Sequence, residues 1–122
     1  MTTEEIDAIP AGPEMDRLIV ERIFGRHVQS FPQTKLGGTP DPEWVQWIEP
    51  DNPAAGFAKI PPYSTALSAA TDVLFTFSLF EVARDEKGFR ADLRSEALEW
   101  FEVYAETLPL AICRAALKVS LK

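Results

Sequence analysis

Hydrophobic positions in the first quarter of the chain recur at helical spacing. The apolar stripe consists of Met15, Leu18, Ile19 and Ile23. Pro13 suits the first turn of this helix, which we predict to run to about Phe24. A shorter helix is predicted over residues 1–8, where Thr2 and Glu5 have the spacing of a capping box. The chain therefore begins with a helical segment, residues 1–25.

After the turn residues 85–88, apolar and polar residues alternate strictly instead of recurring at helical spacing. Phe89, Ala91 and Leu93 lie on one side, and Arg90, Asp92 and Arg94 lie on the other. This pattern predicts a strand with one solvated face, between a strand over residues 75–83 and a third strand over residues 100–106. A helix over residues 95–106 is the competing interpretation, because residues 96–100 are good helix formers.

Two further apolar stripes at helical spacing flank these strands. The first predicted helix is capped by Ser64 or Thr65 and runs to about Leu74, and the last has Thr107 as its N-cap. From Tyr63 onward the order is α-β-β-β-α. The sequence thus predicts an α+β fold, in which a three-stranded antiparallel meander packs with helices.

A proline-rich segment, residues 26–62, separates these two parts of the chain. Seven of the ten prolines lie between residues 32 and 62, so no long regular element fits there, and a short strand over residues 44–48 is the one exception we predict. Loops of this length are often functional. We expect the segment to lie against its own domain or against a second subunit. The whole chain, residues 1–122, is predicted to be a single domain with residues 63–122 as its core.

Composition narrows the classes of function. Twelve Lys and Arg face nineteen Asp and Glu, a net charge of −7 without a basic run, which argues against binding to duplex nucleic acid. No apolar run reaches the length of a membrane span, and the acidic N-terminus is unlike a leader peptide. Cys113 is the only cysteine, which favours a reducing compartment. We expect a cytoplasmic protein.

Three stretches of the chain carry a family resemblance. They are Ile6–Asp16 with the following Val20–Gly25, then Pro62–Ala66, and finally Glu106–Leu117. Together they resemble the phage ABA sandwich domain family, a group of small phage and prophage proteins, and the last stretch is the most specific. The resemblance implies a phage origin and a compact helix-sheet-helix domain, without established catalytic residues. The chain departs from the family pattern at Ala66, where an acidic residue is common, and in its long proline-rich segment.

Signals for catalysis are weak throughout the sequence. His27 is the only histidine and follows a helix terminator, so no zinc spacing exists. Cys113 lies on an apolar helix stripe, as expected for a buried core residue rather than a nucleophile. A phosphate-binding glycine loop and a nucleophile elbow are also missing. We therefore expect a protein that is not an enzyme and that has no catalytic residues, metal site or cofactor.

Two tryptophans are the first candidates for ligand binding. Trp44 and Trp47 lie three residues apart in the proline-rich segment, and loops often carry binding aromatics. Their rings are suited to stack on a base or to pack against a partner protein. The competing interpretation is that they anchor the segment onto its own domain.

Polar residues at two helix ends complete the candidate set. Tyr63, Ser64 and Thr65 follow two prolines at a predicted helix start, where free amides and hydroxyls suit an anion. Arg114 and Lys118 share one face of the last helix, where Arg114 can make bidentate anion contacts. An ordinary N-cap and an ordinary basic C-terminal turn explain the same residues without a ligand.

Two hypotheses from different classes follow. In the first, the protein is a non-enzymatic binder, a homo-oligomer that sequesters a host immune nucleotide signal such as a cyclic dinucleotide or an ADP-ribose derivative. In the second, it is a protein-interaction or assembly module that docks through the Trp-containing segment. A concave, Arg-lined pocket would favour the first hypothesis, and a flat exposed aromatic patch would favour the second.

Overall fold

The protein is described here as a computed structural model, which covers the backbone of residues 1–30, 33–34, 40–41, 45–48 and 57–121 and the side chains of residues 1–26, 28 and 60–121. Its described helices are α1 (Thr3–Ala8), α2 (Pro13–Arg22), α3 (Leu67–Leu74) and α4 (Leu108–Ser120). None of these helices has the length and apolar character that a membrane crossing requires. The predicted starts of α1 and α4 are confirmed, because the hydroxyls of Thr2 and Thr107 accept bonds from the amides of Glu5 and Leu110.

The strands that the structure describes fall into three antiparallel sheets. In chain order they are β1 (His27–Ser30), β2 (Gln33–Thr34), β3 (Pro40–Asp41), β4 (Val45–Ile48), β5 (Phe57–Lys59), β6 (Phe80–Asp85), β7 (Gly88–Arg94) and β8 (Trp100–Ala105). The orders are β1-β4-β5, β2-β3 and β6-β7-β8. The predicted meander is therefore present in the second half of the chain, as β6, β7 and β8. In the proline-rich part, each described strand is at most four residues long.

Register divides the meander into an apolar face and a polar face. Across the three strands, the apolar rows are Phe80–Leu93–Phe101 and Val82–Ala91–Val103. The polar face carries rows such as Glu81–Asp92–Glu102. Side chains directly opposite one another share a face of an antiparallel pair, so the alternation predicted for β7 extends across the whole sheet.

Helix α4 is the central element of the fold. One of its sides packs on the apolar face of β7 and β8, and α1, α2 and α3 also pack against it. Its buried residues are Pro109, Leu110, Ala111, Ile112, Cys113, Ala115, Ala116 and Leu117. A helix that is covered from several sides needs apolar residues around most of its circumference, and its alanines permit close approach of the neighbours.

Two predicted boundaries near α3 are wrong. Neither Ser64 nor Thr65 caps this helix: its N-cap is Ala66, which makes no side-chain cap bond. The strand predicted over residues 75–83 starts only at Phe80, because the amides of residues 75–77 donate to carbonyls at the end of α3. The competing helix over residues 95–106 is also wrong, since β8 occupies residues 100–105.

Candidate functional site

Asp16 and Ser64 form a buried polar contact between α2 and the turn before α3. Ser64 donates to Asp16 Oδ1 twice, from its Oγ at 2.6 Å and from its backbone N–H at 2.7 Å. The Gly12 N–H donates to Ser64 Oγ at 2.9 Å. Burial raises the pKa of the Asp16 carboxyl, although the bonds from Ser64 act in the opposite direction. Ser64 is fully buried, so this group joins two segments and presents no surface to a ligand.

The structure separates the other two residues predicted at this helix start. Tyr63 is buried and stacks on Phe24, with ring centroids 5.4 Å apart. Burial raises the pKa of the Tyr63 phenol. Thr65, in contrast, is exposed to solvent. Tyr63, Ser64 and Thr65 therefore do not converge on one anion site in this structure.

Arg114 and Lys118 face the N-terminal segment. Arg114 donates from Nη2 to the carbonyl of Ile9 at 3.0 Å. Lys118 forms an ion pair with Asp7, with an Nζ–Oδ1 distance of 2.8 Å. These contacts hold α1 and the residue after it against α4. Cys113, one position before Arg114, is fully buried as predicted, and burial raises the pKa of its thiol.

Of the two tryptophan candidates, the structure describes only the backbone of Trp47. Trp44 lies outside the described residues. The backbone of Trp47 belongs to β4, where Trp47 pairs with Val28 on one side and with Ala58 on the other. The side chains of Trp47 and His27 are likewise outside the described part, so the candidacy of the two tryptophans stays a prediction.

A concave site lies elsewhere, at the end of the meander where β7 finishes. Its cavity volume is about 530 Å³, within the range of small-molecule sites. It is lined by the segment between α3 and β6 (Thr76, Phe77, Ser78), by residues 94–97, and by Val119 of α4. Thus a helix-to-strand connection, a strand-to-strand connection and a helix end together form one pocket, which is called the Arg94 pocket below.

Arg94 is the cation of this pocket. Its Nε is buried and has no hydrogen-bond partner among the described residues. Its backbone N–H donates to the Leu79 carbonyl at 3.2 Å, which holds the end of β7 beside the α3–β6 connection. A buried guanidinium nitrogen without an acceptor is energetically unfavourable, so an anionic group placed here would gain a charge-assisted bond.

Hydroxyl groups surround this cation. Ser95 is buried, and its Oγ accepts a bond from the Glu99 N–H at 3.2 Å, which leaves its own proton to donate. Thr76 Oγ1 donates to the Val73 carbonyl at 2.7 Å, which leaves its lone pairs as acceptors. Ser78 contributes an exposed hydroxyl. The pocket therefore offers donors and acceptors as well as one positive charge.

Trp100 adds an aromatic surface next to Arg94. The two residues are directly opposite each other on β8 and β7, so their side chains lie on the same face of the sheet. Trp100 is 54% exposed. An exposed indole beside an arginine is a suitable platform for stacking a planar ring.

Sequence reasoning missed this pocket, and the reason is physical. In the sequence, Arg94 is one of three alternating polar residues of a strand, which is typical of a solvated face. The pocket depends on the approach of two connections and a helix end that lie far apart in the chain, so no local motif marks it. The exposed Trp100 was the one available signal. In the described ranges, no group of three or more His, Cys, Asp or Glu is arranged to hold a metal ion.

Comparison with known proteins gives one family and one structural relative. The model of the phage ABA sandwich domain matches residues 17–117, which extend from α2 into α4. The structure is similar to the crystal structure of a phage protein from Bacillus cereus ATCC 14579, with a TM-score of 0.66 and 21% identity over 93% of this chain and 94% of that chain. At this identity the likeness shows a shared fold. No curated protein matches the chain.

Proposed function

Because the chain belongs to the phage ABA sandwich domain family, we propose that it is a phage-encoded binding protein, without enzymatic activity, that captures a small anionic ligand in the Arg94 pocket. The observation that carries this proposal is the buried Nε of Arg94, which has no partner among the described residues and lines a concave site. A ligand phosphate or carboxylate would supply the missing acceptor.

The shape and chemistry of the pocket support a nucleotide as the ligand. A volume of about 530 Å³ accommodates a molecule of nucleotide size. Arg94 would bind a phosphate, the hydroxyls of Ser95 and Ser78 would bind ribose or phosphate oxygens, and Trp100 would stack on the base. We propose a host immune nucleotide signal, a cyclic dinucleotide or an ADP-ribose derivative, as the class of ligand. Sequestration needs only binding, which agrees with the weak catalytic signals in the sequence.

Two sources of negative charge set a limit on this ligand. The chain has a net charge of −7, so long-range electrostatics disfavour the approach of any anion. Glu96 also lines the pocket, and its carboxylate repels an anion placed beside it. The phosphate must therefore sit on the Arg94 side of the pocket, and binding should weaken with rising salt as this contact is screened.

The first experiment is native mass spectrometry of the purified protein, followed by denaturation and identification of any released small molecule. The second is calorimetric titration with cyclic dinucleotides and ADP-ribose derivatives. We expect binding by the wild type and at least a tenfold weaker Kd for Arg94→Gln, since one charge-assisted bond contributes about 1.5–3 kcal/mol.

Arg17→Gln is the matched control for this titration. Arg17 is an exposed arginine on α2 that pairs with Glu21, so its replacement changes the net charge equally without touching the pocket. Its Kd should equal that of the wild type. An equal loss of affinity in both variants would show a general charge effect, and failure of the whole nucleotide panel would reject the proposed ligand class.

A further inference from the structure

Among the strands that the structure describes, β6 is an unpaired edge of the meander. It pairs with β7 on one side and is the terminal strand of the order β6-β7-β8. Five of its six residues are exposed and the sixth is half-buried. An edge of this length presents a row of backbone donors and acceptors that natural proteins usually cover, shorten or charge.

Exposed apolar side chains cluster around this edge. Phe75, Leu79, Phe80 and Val82 are exposed by 70%, 42%, 37% and 37% respectively. The rings of Phe75 and Phe80 are in contact, with centroids 5.9 Å apart. Phe80 and Val82 lie on the apolar face of the sheet, where α4 covers β7 and β8. These four residues and the outer edge of β6 are called the β6 edge surface below. A contiguous apolar surface of this kind marks an interaction site.

We propose that the β6 edge surface binds a second copy of this chain, so that two β6 strands pair antiparallel across a two-fold axis and form one six-stranded sheet. Such an axis allows only registers in which a residue of β6 faces its own counterpart, because paired residues must share a face. Two registers pair five residues each. One is centred on Val82 and the other on Ala83.

Charge decides between these two registers. Centring on Ala83 would place Glu81 directly opposite Asp85 of the second copy, and like charges in directly opposite positions are destabilising. Centring on Val82 places Val82 against Val82, Phe80 against Arg84, and Glu81 against Ala83, so no like charges face each other. The strand is therefore complementary to itself in one of its two longest registers.

The neighbouring strand supports the same register. The Arg84 guanidinium lies over the Phe89 ring, 5.5 Å from its centroid. In the register centred on Val82, Phe80 of the second copy would approach Arg84 from its other side, which encloses the guanidinium between two aromatic rings. On the polar face, Arg90 is the cross-strand neighbour of Ala83 and pairs with Glu81 of its own chain at 2.8 Å. The register centred on Val82 places Glu81 of the second copy opposite Ala83, on the same face as this guanidinium.

The test begins with the mass of the wild type in solution, measured by light scattering during size exclusion. We expect twice the 13.6 kDa of the single chain. Val82→Lys, which would set two lysines against each other, should yield the mass of one chain. Leu98→Lys is the matched control, because Leu98 is equally apolar and 67% exposed but lies between β7 and β8. It should remain a dimer.

Cysteine cross-linking tests the register itself. Directly opposite positions have Cα atoms about 5 Å apart, within the range of a disulfide, so Val82→Cys should cross-link two chains on mild oxidation. In the same register the two Ala83 positions are more than about 7 Å apart, so Ala83→Cys should not cross-link. Native Cys113 is fully buried and does not compete.

Three outcomes would overturn the proposal. In the first, the wild type stays a single chain at about 100 µM, a concentration well above a micromolar Kd. In the second, the Val82→Lys variant stays dimeric. In the third, both cysteine variants cross-link equally. The first outcome would exclude a second copy as the partner of the β6 edge surface. The second and third would place the interface between copies on another part of the molecule.

Discussion

Asp16 accepts two hydrogen bonds from Ser64, at 2.6 and 2.7 Å, although the two residues are 48 positions apart in the chain. The contact joins the first and second stretches of the family resemblance. The third stretch is joined to the first by Arg114, which donates to the Ile9 carbonyl. The residues that carry the resemblance thus hold three segments of the fold together, whereas the Arg94 pocket lies outside all three stretches.

Replacing Ser64 tests this structural role. Ser64→Ala removes the Oγ donor to Asp16, which is buried, and the acceptor of the Gly12 N–H, which is half-buried. We expect a loss of about 1–3 kcal/mol in the free energy of unfolding, measured by urea denaturation. Ser68→Ala, at an exposed position of α3, is the control and should change stability by less than about 0.5 kcal/mol. Equal effects of the two changes would contradict the assigned role.

Asp16 should also make stability depend on pH. Its pKa is raised above the ordinary 3.8 by burial, so the folded protein binds this proton more tightly than the unfolded chain does. The contribution of this group to stability is therefore fully present below pH 3.8 and is lost as pH rises through the folded-state pKa. The neighbouring Tyr63 and Cys113 have raised pKa values and do not titrate in the acidic range.

Asp16→Asn provides the measurement of this effect, because an amide keeps an acceptor oxygen for Ser64 but carries no titrating proton. The wild type loses stability as Asp16 ionises, whereas the variant does not. The free energy of unfolding of the variant minus that of the wild type should therefore increase from about pH 4 to about pH 7 in urea denaturation series. Glu14→Gln, which removes an exposed carboxylate of the same helix, serves as the control. A stability difference between Asp16→Asn and the wild type that stays constant over this range would contradict the prediction.

Two glycines with positive φ should respond differently to alanine. Gly88 has a φ of +118°, and a Cβ there would lie 2.9 Å from the carbonyl oxygen of Ala105 on β8. Gly25 has a φ of +64°, and its Cβ would meet nothing within 4 Å. We expect Gly88→Ala to cost about 2–3 kcal/mol, from strain and the displaced strand, and Gly25→Ala about 1 kcal/mol, from strain alone. Thermal and urea denaturation measure the loss of stability in both variants. A larger loss for Gly25→Ala than for Gly88→Ala would contradict the prediction.

Glu96 should weaken ligand binding in the Arg94 pocket. Glu96→Gln removes a carboxylate that repels an anionic ligand, and a near-surface charge of this kind is worth about 0.5–1 kcal/mol. We expect the Kd for a bound nucleotide to fall about two- to fivefold, with a smaller gain at high salt. Calorimetric titration at two salt concentrations measures both effects. Unchanged affinity would place the anionic group of the ligand away from this residue.

The sequence by itself determined the type and order of the elements in the second half of the chain. The period-two alternation of β7 and the hydroxyl cap of α4 at Thr107 are local features, because each depends on residues within a few positions of one another. The single predicted strand in the proline-rich segment corresponds to β4, since its residues are mostly apolar and free of proline. Its partner strands β1 and β5 were missed, because strand pairing depends on residues far away in the chain.

Only the tertiary structure decided what the polar residues do. Ser64 has the local features of a helix cap, yet it binds Asp16, because a buried carboxylate demands donors and Ser64 supplies two. Arg94 appears solvated in the strand pattern, yet its Nε is buried, where the end of β7 meets the α3–β6 connection and the end of α4. Backbone propensities act over a few residues and are visible in the sequence, whereas the partners of a buried polar group are set by the packing of the whole chain.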